Sequence, residues 1–291
     1  MSDKALIKPA QIAERLEDAG IGSLVYVDQR GQVQSPARYR NGTVARFVAL
    51  GLFLGGANWL YWTIGGPAGL VVGAGLTLAL LRQLPALFRL RRAVALLAAG
   101  RLDEAEALLQ MIRRARWLPS AMRAHVDQNL ARAAALRGRH EEALAFEESA
   151  LSRTPDDRRN RARRRMLEFA RVVTLVNLGR VAEARARIAA MPRALDGDYL
   201  RAQYAAAQLY IAFGEGKHDF DPAYLREQAE IALSLPSARS LVGLISWAEH
   251  CAGRSAEAMR LLAIARERPG EAQVRRLMPR LAEWMETRPG G

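Results

Sequence analysis

The chain has 291 residues, half of them apolar, and a formal net charge of +13 carried almost wholly by arginine, since Lys4, Lys8 and Lys217 are its only lysines. That much apolar residue argues against a disordered chain and supplies core for two compact units or one extended array. Its single cysteine, Cys251, excludes an intramolecular disulfide and a cysteine-ligated zinc centre. The basic balance favours anionic surfaces, with GC-rich codon usage as a second source of the arginine, and leaves the fold open.

Residues 1–44 predict a small N-terminal segment: an amphipathic helix from Pro9 to Ala19 stopped by Gly20, then a β-hairpin of Ser23 to Val27 with Gln32 to Gln34. From Phe47 to Leu81 no charged side chain occurs, and between Asp28 and Asp103 there is no acid. A straight helix over that run would be about 50 Å long against a hydrocarbon core of about 30 Å, and Gly65-Gly66-Pro67 breaks it. The expectation is a two-helix transmembrane hairpin over residues 45–88, with arms at 47–64 and 68–84. Arg38, Arg40 and Arg46 before it and Arg82, Arg89, Arg91 and Arg92 after it predict that both termini are cytoplasmic at a bacterial inner membrane. Gly51 and Gly55, then Gly69 and Gly73, give each arm a small-residue face, for arm–arm packing or for homo-oligomerisation, with the first favoured. Asn58 is expected to hydrogen-bond across that contact.

The pattern Gly-Arg-x-x-Glu-Ala then recurs at Gly100, Gly138, Gly179 and Gly253, with spacings of 38, 41 and 74 residues. Since 74 is twice 37, a degenerate unit with its turn at Gly214 or Gly216 is expected. Each glycine closes one helix, the glutamate sits in the first turn of the next, and the alanine marks where the two helices cross. In the second copy Gly138, Ala143, Phe146, Ala150 and Pro155 follow the order of the tetratricopeptide repeat family, which the chain resembles from about Phe88 to Pro269. The resemblance implies a solenoid of four to five helix-turn-helix repeats over 89–269, which with the hairpin before it makes the expected fold class all-α. Residues 270–291 would be a capping helix, with Val274, Leu277, Leu281, Trp284 and Met285 on one face, and a tail.

In that family the first helix of each unit lines a concave, ligand-receiving surface. Positions three and six before the turn glycines place Tyr210, Phe213, Trp247 and His250 there, with Arg132 and Asn177 nearby, as a candidate partner-binding groove. The other reading makes Tyr210 and Trp247 inter-repeat core. The family's carboxylate clamp of paired lysine and asparagine is not reproduced. Arg158, Arg159, Arg161, Arg163, Arg164 and Arg165 form a candidate contact for an anionic surface, of lipid or acidic protein rather than nucleic acid. The loop bearing His218, Asp219 and Asp221 lacks a fourth ligand, so no metal is expected, and no nucleophile elbow or phosphate loop points to catalysis or a cofactor. The sequence thus reads as a non-catalytic, membrane-anchored scaffold for a protein partner. Its alternative is a soluble basic adaptor for an acidic protein or nucleic acid, with the apolar segment buried.

Overall fold

Helix-breaking glycines set the architecture of the computed structural model, which describes residues 26–27, 33–34, 36–191, 197–235 and 238–288. The expected helix from Pro9 to Ala19 lies outside the described residues. Of the β-hairpin, β1 (Tyr26–Val27) and β2 (Val33–Gln34) are present as an antiparallel pair, Tyr26 opposite Gln34.

Helix α1 (Pro36–Leu81) folds back on itself at Gly66, whose φ of 55° and ψ of −140° only glycine adopts readily. The two arms lie antiparallel. Asn58 Nδ2 donates across the contact to Thr77 Oγ1 at 2.8 Å and along its own arm to the Leu54 carbonyl at 2.8 Å. A Cβ at Gly69 would overlap the Tyr61 carbonyl, and one at Gly73 would stand 2.6 Å from Asn58 Oδ1. Gly69 and Gly73 are therefore consumed by arm–arm packing and are not free for homo-oligomerisation, whereas Gly51 and Gly55 face open space. A Gly69→Ala substitution is expected to cost about 1–3 kcal/mol by overpacking. Faster amide hydrogen exchange over residues 54–77 would report it, with Gly51→Ala unchanged.

Among the described residues no helix is long and apolar enough to cross a membrane. This corrects the transmembrane assignment of 47–64 and 68–84, and the reason is physical. The second arm ends at Leu81, so its roughly 15 residues reach about 22 Å, short of a core of about 30 Å. The first is diluted by Gly51, Gly55, Gly56, Asn58 and Thr63. The hairpin is nonetheless apolar outside: Leu52, Phe53, Trp59, Ile64, Val71 and Leu78 are each 67–80% exposed.

Five helix pairs follow. They are α2 (Leu84–Ala98) with α3 (Leu102–Arg113), α4 (Ser120–Leu136) with α5 (His140–Arg153), and α6 (Arg161–Asn177) with α7 (Val181–Ala189). Then come α8 (Asp198–Glu215) with α9 (Pro222–Ser234), and α10 (Arg239–Cys251) with α11 (Ser255–Glu267). Each pair turns on a glycine with φ between 66° and 77°, at Gly100, Gly138, Gly179, Gly216 and Gly253. Each first helix ends in the same six-to-one bond: Arg101 N to Leu96 O, Arg139 N to Ala134 O and Arg180 N to Leu175 O at 2.9 Å, Arg254 N to Glu249 O at 3.0 Å, and Lys217 N to Ala212 O at 3.1 Å. Gly216 is thus the turn of the unit that lost its signature.

The rest of the motif has a physical reason as well. Arg101, Arg139 and Arg180 each reach the glutamate three residues on, Glu104, Glu142 and Glu183, at 2.6–2.7 Å. Such exposed pairs contribute only about 0.3–0.5 kcal/mol each. The fourth copy departs, Arg254 pairing with the buried Glu249 while Arg260 takes Glu257. The alanines carry more weight: Ala105, Ala143 and Ala184 are fully buried and Ala258 is 2% exposed, where a larger side chain would force the helices of a unit apart.

The expected single capping helix is broken. Met278, with φ −137° and ψ 62°, separates α12 (Glu271–Leu277) from α13 (Pro279–Thr287). A proline at 279 disfavours helical backbone in the residue before it. Helix α13 does cap the stack: Leu281 and Met285 are buried, and Met285 Sδ lies 2.7 Å from where a Cβ on Gly243 would stand. Helix α12 instead bends inward.

Candidate partner-binding groove

The inner surface of the array is built by the first helix of each pair. Tyr210 and Phe213 on α8 stack with rings 6.1 Å apart and 10° from parallel, and Trp247 on α10 meets Phe213 edge-on at 5.2 Å. Tyr210 is 1% exposed and Trp247 6%, so both belong to the core. Tyr210 Oη donates to Asn177 Oδ1 at 2.6 Å, and Asn177 Nδ2 donates to the Leu277 carbonyl at 2.7 Å. Burial raises the Tyr210 pKa, with Arg280 opposing, so its hydroxyl stays a proton donor. Arg280 lies over Phe213 at 5.9 Å, and His250 sits 6.2 Å from the Trp284 ring.

Five of the six expected groove residues, Asn177, Tyr210, Phe213, Trp247 and His250, therefore converge. What they meet is the chain's own C-terminal segment. Leu277 packs against three clusters that are otherwise separate, those centred on α2–α5, on α6–α11 and on Ala134, Ala135 and Ala143. Arg132 lies apart, partly buried on α4, its pKa lowered by burial with Tyr199 opposing. The family resemblance and the register to the turn glycines put these positions on the first helices. They did not show that Leu277, Arg280 and Trp284 cover them; Pro279, inside an amphipathic run, was the signal for the bend.

The arginine cluster does not form one surface. Arg158, Arg159 and Arg161 are exposed, Arg163 Nε donates to Gln128 Oε1 at 3.2 Å, and Arg164 Nη1 caps the end of α5 at the Thr154 carbonyl, 2.6 Å away. Arg165 is partly buried. Capping by arginine recurs. Arg123 donates to the carbonyls of Ala115, Arg116 and Leu118, Arg268 to those of Ala232, Leu233 and Leu235, and Arg266 to those of Met285 and Arg288. Guanidinium suits this, offering several donors to the unpaired carbonyls where a helix ends. Part of the high positive charge is thus structural.

Comparison with known families agrees with this architecture. The tetratricopeptide repeat model matches residues 86–111, within α2 and α3, and 124–146, within α4 and α5. No curated protein and no solved structure matches the chain significantly. The two matched stretches fall on successive helix pairs and support tetratricopeptide repeats there, and all five of the described pairs close on the same glycine turn.

Proposed function

We propose that this chain is a non-catalytic scaffold that holds a short segment of a protein partner in its concave groove and is attached to a membrane by its hairpin. The observation that carries the groove reading is the seating of α12. An apolar side chain, Leu277, fills the junction of the array's cores while its carbonyl is held by Asn177. A surface that takes a leucine and a backbone carbonyl in cis has the chemistry to take them from a partner in trans. The segment recognised would be apolar with a following cation, as Leu277 is followed by Arg280 over the Phe213 ring.

The membrane reading is supported by the exposed apolar sides of α1 and by arginines without acids at its base. The hairpin is read as dipping into the bilayer from the inner, cytoplasmic face rather than crossing it. Homo-oligomerisation through Gly51 and Gly55 keeps only the open face of the first arm to work with. That no helix among the described residues is long and apolar enough to cross a membrane favours the second reading, an adaptor whose hairpin is covered by protein. Carbonate extraction separates them: retention of the full-length chain in the pellet supports the embedded hairpin, and release without detergent rules it out.

For the groove, Leu277→Asp is expected to free α12, because a carboxylate cannot be buried there without a partner. A labelled peptide spanning residues 270–281 should then bind the variant at least tenfold more tightly than the wild type in fluorescence anisotropy. Equal binding to both, with the variant folded by circular dichroism, would sink the groove reading.

A further inference from the structure

A second cavity, unrelated to the groove, lies where α3 ends, α4 begins and α5 ends. It has a volume of about 380 Å³ and is lined by Gln110, Arg113, Arg114, Arg123, Asp127 and Arg153. Four guanidiniums thus face one carboxylate, whose Oδ2 takes the hydrogen bonds while its buried Oδ1 has only the charge of Arg113 beside it. Asp127, 1% exposed, is ion-paired to Arg113 at 3.0 Å and to Arg153 at 2.5 Å, and accepts from Ser149 at 2.8 Å. The Phe146 ring holds Arg113 from beneath at 4.9 Å, and carbonyls of the 115–118 loop hold Arg123. Each of these three side chains is thereby fixed by part of its donor set, and a guanidinium has five N–H groups. Arg113 and Arg153 remain 41% and 36% exposed, so solvent-borne anions can reach them.

Preorganised, incompletely used guanidiniums around a polar cavity suit a multi-oxygen anion, which several forks can hold at once. We propose that this pocket binds a phosphate group, presented by an anionic phospholipid. The lipid source follows from position: Arg82, at the exit of the hairpin, lies 5.4 Å from the Trp117 ring in the same loop that holds Arg123. A headgroup beside an embedded hairpin would meet the pocket, so the lipid source, though not the pocket itself, rests on the membrane reading.

Full-length chain in neutral detergent, titrated with inorganic phosphate, tests the pocket. Arg114→Glu removes a pocket guanidinium that no other contact requires, and Arg116→Glu makes the same charge change one turn of loop away. Phosphate is expected to raise the melting temperature of the wild type and Arg116→Glu but not of Arg114→Glu. Equal responses in the two variants would overturn the pocket, leaving only general screening. Flotation with phosphatidylcholine vesicles, with and without phosphatidic acid, then tests the source. Phosphatidic acid should increase recovery several-fold for the wild type and Arg116→Glu, with Arg114→Glu held at the phosphatidylcholine level. A thermal response without that increase would overturn the lipid source in favour of a soluble phosphate. A wild type that floats with neither vesicle would overturn the membrane reading while leaving the titration decisive for the pocket.

Discussion

Replacing Trp247 by alanine is expected to destabilise the array by about 3–5 kcal/mol, the cost of deleting a buried aromatic side chain and leaving a cavity. Trp247 is 6% exposed and packs edge-on against Phe213, which stacks in turn on Tyr210. Urea denaturation followed by circular dichroism checks the magnitude, and a loss below about 1 kcal/mol would mean that the ring is not core. This bears on how the groove is tested. A partner lost on Trp247→Ala or Tyr210→Ala would report a damaged fold as readily as a damaged surface. Leu277→Asp acts on the contact with α12 itself and spares the aromatic stack, whereas Asn177→Ala would also leave the buried Tyr210 hydroxyl without its acceptor.

Glu147→Gln is expected to do the opposite and stabilise the chain at neutral and alkaline pH. Glu147, 3% exposed on α5, has its pKa pushed up from 4.5 to about 8 chiefly by burial. A hydrogen bond from Thr174 and the charge of Arg171 oppose the shift, and Glu148 and Glu168 add to it. The folded state therefore holds the proton more tightly than the unfolded chain. Its contribution is fully present below about pH 4.5 and is lost as pH rises through about 8. At pH 7 the difference amounts to about 3 kcal/mol, as an order of magnitude. Glutamine keeps an acceptor for the Thr174 hydroxyl, 3.0 Å away, and has no charge to desolvate. The stability of the variant relative to the wild type should rise steadily between pH 5 and pH 8; His125, whose pKa burial lowers to about 4, adds the same opposing rise to both chains up to about pH 6.5 and cancels in the difference. Parallel slopes would show that Glu147 is ionised in the folded chain across this range.

What the amino-acid order made legible was local. Gly100, Gly138, Gly179 and Gly253 fix their turns because a positive φ at a helix end is a property of one residue, and the spacing narrowed the missing turn to Gly214 or Gly216, of which Gly216 takes the positive φ. The fold-back within Gly65-Gly66-Pro67 was legible for the same reason, and a bond from Asn58 across the arms was expected from its lone polar side chain, though its partner Thr77 was not. Long-range placement was not. Nothing in a period-3.6 pattern distinguishes an inward-facing aromatic that waits for a ligand from one already covered, so Tyr210 and Trp247 read as either. The covering residue, Leu277, lies 100 positions from Asn177. An uncharged run likewise reports burial without saying what does the burying; its end at Leu81 coincides with the helix end, and only the extension of the second arm to residue 84 overstated it. Charge was the least legible. Arg123, Arg266 and Arg268 look like surface cations in the sequence and are helix caps in the fold.

The central claim is that α12 occupies the groove of its own chain. A photoreactive diazirine amino acid in place of Leu277, irradiated in the full-length chain and mapped by mass spectrometry, tests it most directly. The account predicts intramolecular cross-links to residues 120–136 of α4 and to residues around Asn177 on α6. Cross-links to neither helix, or only between two chains, would contradict it.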